Sequence, residues 1–303
     1  MLKADVLALT VFVFCSQQLC GQNLDSPPAA ECREQLPATI FSWDGERAAL
    51  GPLSSITTDR PDFTEASSTV GLGVAQLETG YTYTRSAGTD SHSWGEPLFR
   101  LGTFANWFEL RAAVSPVSVV SNGTDSGTED LYLGTKLWLA QQDGWRPELA
   151  VVTQMTVPTG SPAFSADRVL PGVNLLYGWD LSDNLSFAGS TQYNRAVDEI
   201  DASYNEWAQS ATLGRSLTEK VGAYTEWFAF FPAGSAVALP EHYINGGFTY
   251  LFNDDIQFDI RIGKGLNDAS DDFFAGAGLS FRFGNKGAEP NDDENDEGEE
   301  NQQ

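Results

Sequence analysis

The stretch TTDRPDFTEASSTV (57–70) holds the densest group of chemically capable side chains in this sequence: Thr58, Asp59, Arg60, Asp62, Thr64 and Glu65 around Pro61 and Phe63. Three carboxylates beside a guanidinium can form ion pairs or accept charge-assisted hydrogen bonds. No apolar pattern of period 2 or 3.6 runs through them, so neither a strand face nor a helix stripe explains the composition. Pro61 removes a backbone donor and biases Arg60 toward an extended conformation, which argues against a regular central strand. Three uses are open: a catalytic or ligand site, an assembly or partner-recognition element, and a latch or partial plug for the rest of the chain. The latch is the expectation. It would be carried by Asp59, Arg60, Pro61, Asp62, Phe63 and Glu65, with the carboxylates within reach of Arg100 or Arg282, Arg60 within reach of Glu78, and Phe63 set on apolar residues.

Catalytic chemistry has little else to work with. The chain has two histidines, His92 and His242, and only His92 is flanked by serines, Ser91 and Ser93. A serine nucleophile needs a histidine within hydrogen-bond reach and a third group to orient it. G-x-S-x-G, H-E-x-x-H and clustered His/Cys ligands are all missing. The expectation is no enzyme, no cofactor and no metal site; an interfacial lipid hydrolase is the reading a His242→Ala variant would test. The stretches SNGTDSGTED (121–130) and AVDEIDASYNE (196–206) are rich in carboxylates. They read as solvated loops able to contact lipopolysaccharide through divalent cations, without the spacing of a calcium loop.

The elements that would position these residues alternate strongly. In DIQFDIRIGKG, Ile256, Phe258, Ile260 and Ile262 point one way while Gln257, Asp259 and Arg261 point the other. Twelve such segments fall near 74–84, 97–105, 107–115, 130–140, 146–157, 170–180, 184–194, 205–216, 220–231, 242–252, 255–265 and 272–283. Connections at 106–107, 141–144, 181–184, 217–219 and 252–255 are tight. Those at 85–96, 116–129, 158–169, 195–204 and 232–241 are longer, and the one at 266–271 is modest. Short turns on one side and long loops on the other describe an all-β, transmembrane, up-and-down antiparallel β-barrel of about 12 strands, of the outer-membrane type. Closure satisfies every backbone polar group without water. A soluble sandwich also alternates, but its second face is usually charged; here that face is rich in Gly, Ser, Thr, Asn and Gln.

If the apolar faces meet lipid, the lumen receives Glu78, Arg100, Glu109, Arg111, Lys136, Glu148, Glu226, Asp259, Arg261 and Arg282. Neighbouring strands then offer opposite charges that would pair across the wall, as a stiffening ladder or as a constriction that filters solutes. Asn174, Ser186, Ser190, Gln192, Asn194, Ser210 and Thr212 make the remaining side uncharged and polar. Tyr81, Tyr83, Tyr177, Trp179, Trp207 and Trp227 are expected in the interfacial girdles.

Whole-chain properties agree. The net charge is −25, with 17 basic and 42 acidic residues, which argues against a nucleic-acid partner. Lys3 followed by VLALTVFVFC reads as an export signal ending near Gly21. Cleavage there leaves Cys32 as the one cysteine, so no intrachain disulfide can form. The expected organisation is a signal peptide at 1–21, a loosely ordered periplasmic linker at 22–55, the pre-barrel segment at 56–72, the barrel at 73–284 and a disordered acidic tail at 285–303.

Taken with VAQLETGYTYTR, LFRLGTFANWFELRAAV, TVPTG and GGFTYLFNDDIQFDIRIGKGLNDASDDFFAGAGLSFRF, the 57–70 motif resembles a bacterial outer-membrane transporter family also called the MetA-pathway of phenol degradation family. The resemblance covers roughly 56–283. It implies an outer-membrane barrel that passes small solutes, aromatic or hydrophobic ones included, and supplies no binding residues to carry over. The chain departs from the family's usual ending, because 20 residues follow Phe283. Implied partners are the bilayer, lipopolysaccharide, the barrel-assembly machinery and a small-molecule solute, in the outer membrane of a Gram-negative-type bacterium with both termini periplasmic. The competing function is a structural or adhesive barrel with a blocked lumen, binding through its loops or tail.

Overall fold

The computed structural model describes residues 55–114, 116–120 and 124–284. The signal peptide, residues 22–54 of the linker, all three cysteines and the acidic tail lie outside them.

Fourteen strands run in chain order: β1 (Ala75–Ser86), β2 (Thr89–Gly102), β3 (Phe108–Ala113), β4 (Pro116–Val120), β5 (Thr124–Thr128), β6 (Leu131–Ala140), β7 (Glu148–Val157), β8 (Leu170–Ser182), β9 (Leu185–Val197), β10 (Ser203–Ser216), β11 (Val221–Ala233), β12 (Glu241–Asn253), β13 (Ile256–Gly265) and β14 (Phe273–Phe283). Each strand of the ring pairs antiparallel with its neighbours, and β1 pairs with both β2 and β14, so the sheet closes on itself. The ring holds twelve strands. β4 and β5 stand outside it as a hairpin, with β4 paired to Asp90–Ser93 of β2.

The barrel is inside out relative to a soluble protein. Glu78, Arg100, Glu109, Lys136 and Asp259 are fully buried, whereas Phe248 and Ile262 are 52% and 58% exposed on the outer surface. Burying ions while exposing aromatics makes sense only where the outside is hydrocarbon, which decides between the membrane barrel and the sandwich. Outward aromatic clusters lie toward both ends: Tyr81, Tyr83 and Trp94, and Tyr193 with Trp207, toward the loop end; Tyr177 with Trp179 toward the turn end.

Two loop expectations are corrected. The span 85–96 is not a long loop: β1 and β2 continue to a two-residue turn at Ala87–Gly88, whose φ angles of 47° and 84° fit the hairpin turn that matches strand twist. One extra β2 residue between Gly95 and Leu98, opposite Glu78–Gly80, forms a bulge that keeps the inner face in phase below the hairpin. The span 116–129, expected as a loop, carries β4 and β5. The short turns at 183–184 and 254–255 sit at one end of the barrel; the longer connections at 158–169 and 234–240 sit at the other.

Candidate functional site

Residues 55–73 enter the barrel from the short-turn end, rise to a tip at Pro61–Thr64, and descend again to β1. Entry is fixed by the Ile56 amide donating to the Asp254 carbonyl (2.7 Å). Exit is fixed by the Gly73 amide on the Gly102 carbonyl (3.0 Å) and the Leu72 amide on Asn106 (3.0 Å). The chain turns through Gly71 and Gly73, with φ of 86° and 77°, just before β1 begins.

Asp59 is the centre of the rising limb. Its carboxylate meets Arg111 (2.8 Å), Lys136 (2.9 Å) and Arg100 (3.5 Å), three cations from three consecutive ring strands. It also accepts the Ala66 amide (3.0 Å), tying the two limbs together. Burial pushes the Asp59 carboxyl up, but Arg100, Lys136 and Arg111 outweigh it and hold Asp59 below the ordinary carboxylate range. The amides of Asp59 and Arg60 donate to Glu78 at 3.0 Å, and Glu78 in turn receives Arg100 (2.9 Å).

Arg60 lies along the wall at β1 and β14, between β2 and β13. Its guanidinium meets Glu96 (2.6 Å) and Asp259 (3.4 Å). The tip is held by Glu226, whose carboxylate accepts the amides of Phe63 and Thr64 (both 2.7 Å) and the hydroxyls of Thr64 (2.7 Å) and Thr212 (2.9 Å). It also accepts the Asn245 amide (2.7 Å). Phe63 stacks on Phe228, with centroids 4.7 Å apart and planes 8° apart, and meets Phe230 edge-on at 5.4 Å. Arg261 donates to the Pro61 carbonyl (3.0 Å). Asp62 lacks an ion-pair partner among the described residues. Burial and the neighbouring Glu226 push its carboxyl well above the ordinary range, with Arg261 only partly opposing.

The descending limb repeats the charge pairing. Glu65 meets Arg111 (2.8 Å), the Ala66 carbonyl accepts Lys136 (2.8 Å), Ser67 donates to Glu148 (2.5 Å) and the Val70 amide donates to Glu109 (2.9 Å).

All ten ionisable residues assigned to the lumen from sequence lie on the inner face. The expected ladder across the wall forms at Arg100, which pairs with Glu78 and Glu109 (2.8 Å). Lys136, Glu148, Glu226 and Asp259 instead turn to the 55–73 segment. Arg282 stays at the turn end with Asp255 (2.8 Å), so neither Asp62 nor Glu65 reaches it. Arg60 touches Glu78 through its amide rather than its guanidinium. Glu96 escapes a reading of the sequence because it falls in a span with the look of a loop. The inward rings Phe228, Phe230, Tyr243 and Phe274 also escape it, although their parity with Glu226 and Arg261 already places them inside.

Beside the segment a cavity of about 670 Å³ opens toward the turn end, lined by Asp62, Asp180, Ser186, Thr212, Arg215 and Tyr224 among others. The histidines stand elsewhere. His92 meets the Tyr81 hydroxyl (2.8 Å), and the His242 ring lies against Trp227 and Phe231, all on the outer surface. Among the described residues, three or more His, Cys, Asp or Glu side chains nowhere gather to hold a metal ion.

Residues 58–283 match the family model described as Putative MetA-pathway of phenol degradation. The chain belongs to that family. The match begins inside the luminal segment and ends at the last residue of β14, so for this family member segment and barrel form one unit of sequence. Curated proteins gave no match. Among solved structures, an outer membrane channel from Pseudomonas putida F1 is similar at 14% identity and a TM-score of 0.58, over 74% of this chain and 99% of that one. The KdgM porin aligns at 10% identity and a TM-score of 0.46, over 69% and 99% of the two chains. The monoaromatic hydrocarbon channel CymD aligns at 11% and 0.39, over 70% and 89%. The first of these likenesses supports the outer-membrane barrel fold.

Proposed function

We propose that this chain is an outer-membrane channel for passive passage of small solutes, aromatic or hydrophobic ones included, whose lumen is closed by its own residues 56–72. The observation that carries the reading is how the segment is held. Asp59, Arg60 and Thr64 are held by hydrogen bonds and ion pairs that water can replace, and a solute-sized cavity lies beside them. In this reading the ten luminal ionisable residues, five acids and five bases, form a near-neutral constriction, so the pore has no strong ion preference. The short turns and both termini face the periplasm, the long connections face outward against lipopolysaccharide, and the assembly machinery inserts the barrel.

Solute flux in liposomes containing the purified full chain tests this. Flux that rises when Arg60 and Asp62 are both replaced by Ala is the expected result; no flux from either protein would sink the channel. The buried ion pairs around Asp59 favour one competing reading, a permanently blocked barrel that binds a partner through its loops or tail. That reading expects a folded, heat-modifiable barrel with no flux and loop-dependent binding.

A further inference from the structure

We propose that Phe63 fills an aromatic subsite of the lumen in place of a solute, and that an uncharged, single-ring aromatic molecule opens the barrel by displacing it. The inference rests on the channel reading and adds the site, the ligand class and the moving part.

Barrel lumina are ordinarily polar. Here Phe228 and Phe230 of β11, Tyr243 of β12 and Phe274 of β14 all face inward and gather at one level, next to the tip of the plug. Phe228 stacks on Tyr243 at 4.8 Å, and Tyr243 meets Phe274 edge-on at 6.1 Å. Phe63 completes the group with one parallel and one edge-on contact, the two arrangements that a free aromatic ring prefers. A solute ring offers the same faces and edges.

Neighbouring charges set the ligand's charge. Glu226 already accepts five hydrogen bonds, and Arg261 is committed to the Pro61 carbonyl (3.0 Å) and the Thr82 hydroxyl (2.8 Å) while lying 5.7 Å from the Phe274 ring centre. Glu226 is saturated and Arg261 keeps only its Nε without a hydrogen bond, so an ionised solute would find no full ion-pair partner and its desolvation would go largely uncompensated.

The position of Phe63 in the plug makes displacement consequential. The rising and descending limbs are pinned by ion pairs to β3 and β6, whereas the tip is held by Glu226, Ser210 and Arg261 and by the Phe63 ring. Thr64 and Asp62 also line the cavity toward the turn end. Moving the ring out of its subsite therefore removes the tip's one apolar anchor next to open space and leaves only hydrogen bonds that water can replace.

Planar-bilayer conductance of the full chain, with benzyl alcohol as probe and cyclohexylmethanol as its non-aromatic match, tests the proposal. Benzyl alcohol should raise the open fraction by about two- to tenfold, the range one aromatic pair is worth, and cyclohexylmethanol should not. Phe63→Ala, which lies off the strands and leaves the wall intact, should conduct without the probe and gain nothing from it. Phe228→Ala, checked for heat-modifiable migration, should lose the response. Equal action of the two alcohols, or a Phe63→Ala protein that conducts no more than a conducting wild type, would overturn the proposal while leaving the channel standing. Silence from wild type and Phe63→Ala alike would overturn both.

Discussion

Gly80 of β1 and Gly278 of β14 stand directly opposite one another, and the guanidinium of Arg60 lies in the notch left by their missing side chains. The three atoms nearest to a Cβ on Gly80 all belong to the Arg60 guanidinium, whereas a Cβ on Gly278 would also press on the Thr79 carbonyl and Asp259. Gly80→Ala is therefore a clean probe of the plug. The strand pairing can stay as it is, while Arg60 must give up part of its contact with Asp259 and Glu96. Liposome leak should rise and the temperature of the heat-modifiable gel shift should fall. Arg60→Ala in the same background should add little, because both changes act on one contact.

Glu226 is the most heavily used acceptor at the tip. Replacing it by Gln keeps the shape but turns one acceptor into a donor facing the amides of Phe63 and Thr64. A hydrogen bond to a charged group contributes about 1.5–3 kcal/mol, so local opening of the tip should become about tenfold or more frequent. Amide hydrogen exchange at residues 62–65 reads this directly. Unchanged exchange there would show that the tip is held by its ring rather than by the carboxylate.

Parity along the strands is enough to find the barrel, its twelve-strand ring and the inward side of Arg100, Glu109, Lys136 and Asp259, because alternation is a local property. It cannot say whom those charges meet. The partner of Lys136 is Asp59, 77 residues earlier, in a segment without periodicity. Composition marks TTDRPDFTEASSTV as unusual but gives no path for it through the lumen. The 85–96 hairpin is hidden for a different reason. Ala87 occupies a left-handed position that favours Gly or Asn, so the two-residue turn lacks its usual signature. Glu96, the partner of Arg60, is hidden with it.

Asp62 makes the seating of the plug depend on pH. Its carboxyl is enclosed beside Glu226 and Tyr224 of β11, with Arg261 of β13 and Asp59 of its own segment the other ionisable groups acting on it. Because its pKa is raised when seated, the seated state binds a proton more tightly than the released one. The contribution is complete below the ordinary aspartate value of about 4 and is lost as pH rises through the raised value. Asp59 runs the other way: with its pKa depressed, its contribution is present above that ordinary value and is lost only in strong acid. Leak should thus increase as pH rises from the mid-acid range, and Asp62→Asn should remove that dependence and stay tight. A wild-type leak that is flat over this interval, or unchanged by Asp62→Asn, would count against the assignment.

Asp59 and Lys136 form the pair on which the rising limb depends, with both side chains almost wholly buried. Asp59→Asn would leave Lys136, Arg100 and Arg111 facing one another with one carboxylate fewer, and removing one partner of a buried pair costs about 3–5 kcal/mol. The cost should fall on plug seating first, because the ring of twelve strands closes without Asp59. Leak would rise strongly while the gel-shift temperature drops only modestly. Lys136→Met alone should behave similarly, since Asp59 loses one of its three cations. Combining the two should recover part of the loss, as the carboxylate and the ammonium are then removed together. Strictly additive effects in the double variant would mean that the two residues do not act as a pair, and that Arg111 and Arg100 hold Asp59 by themselves.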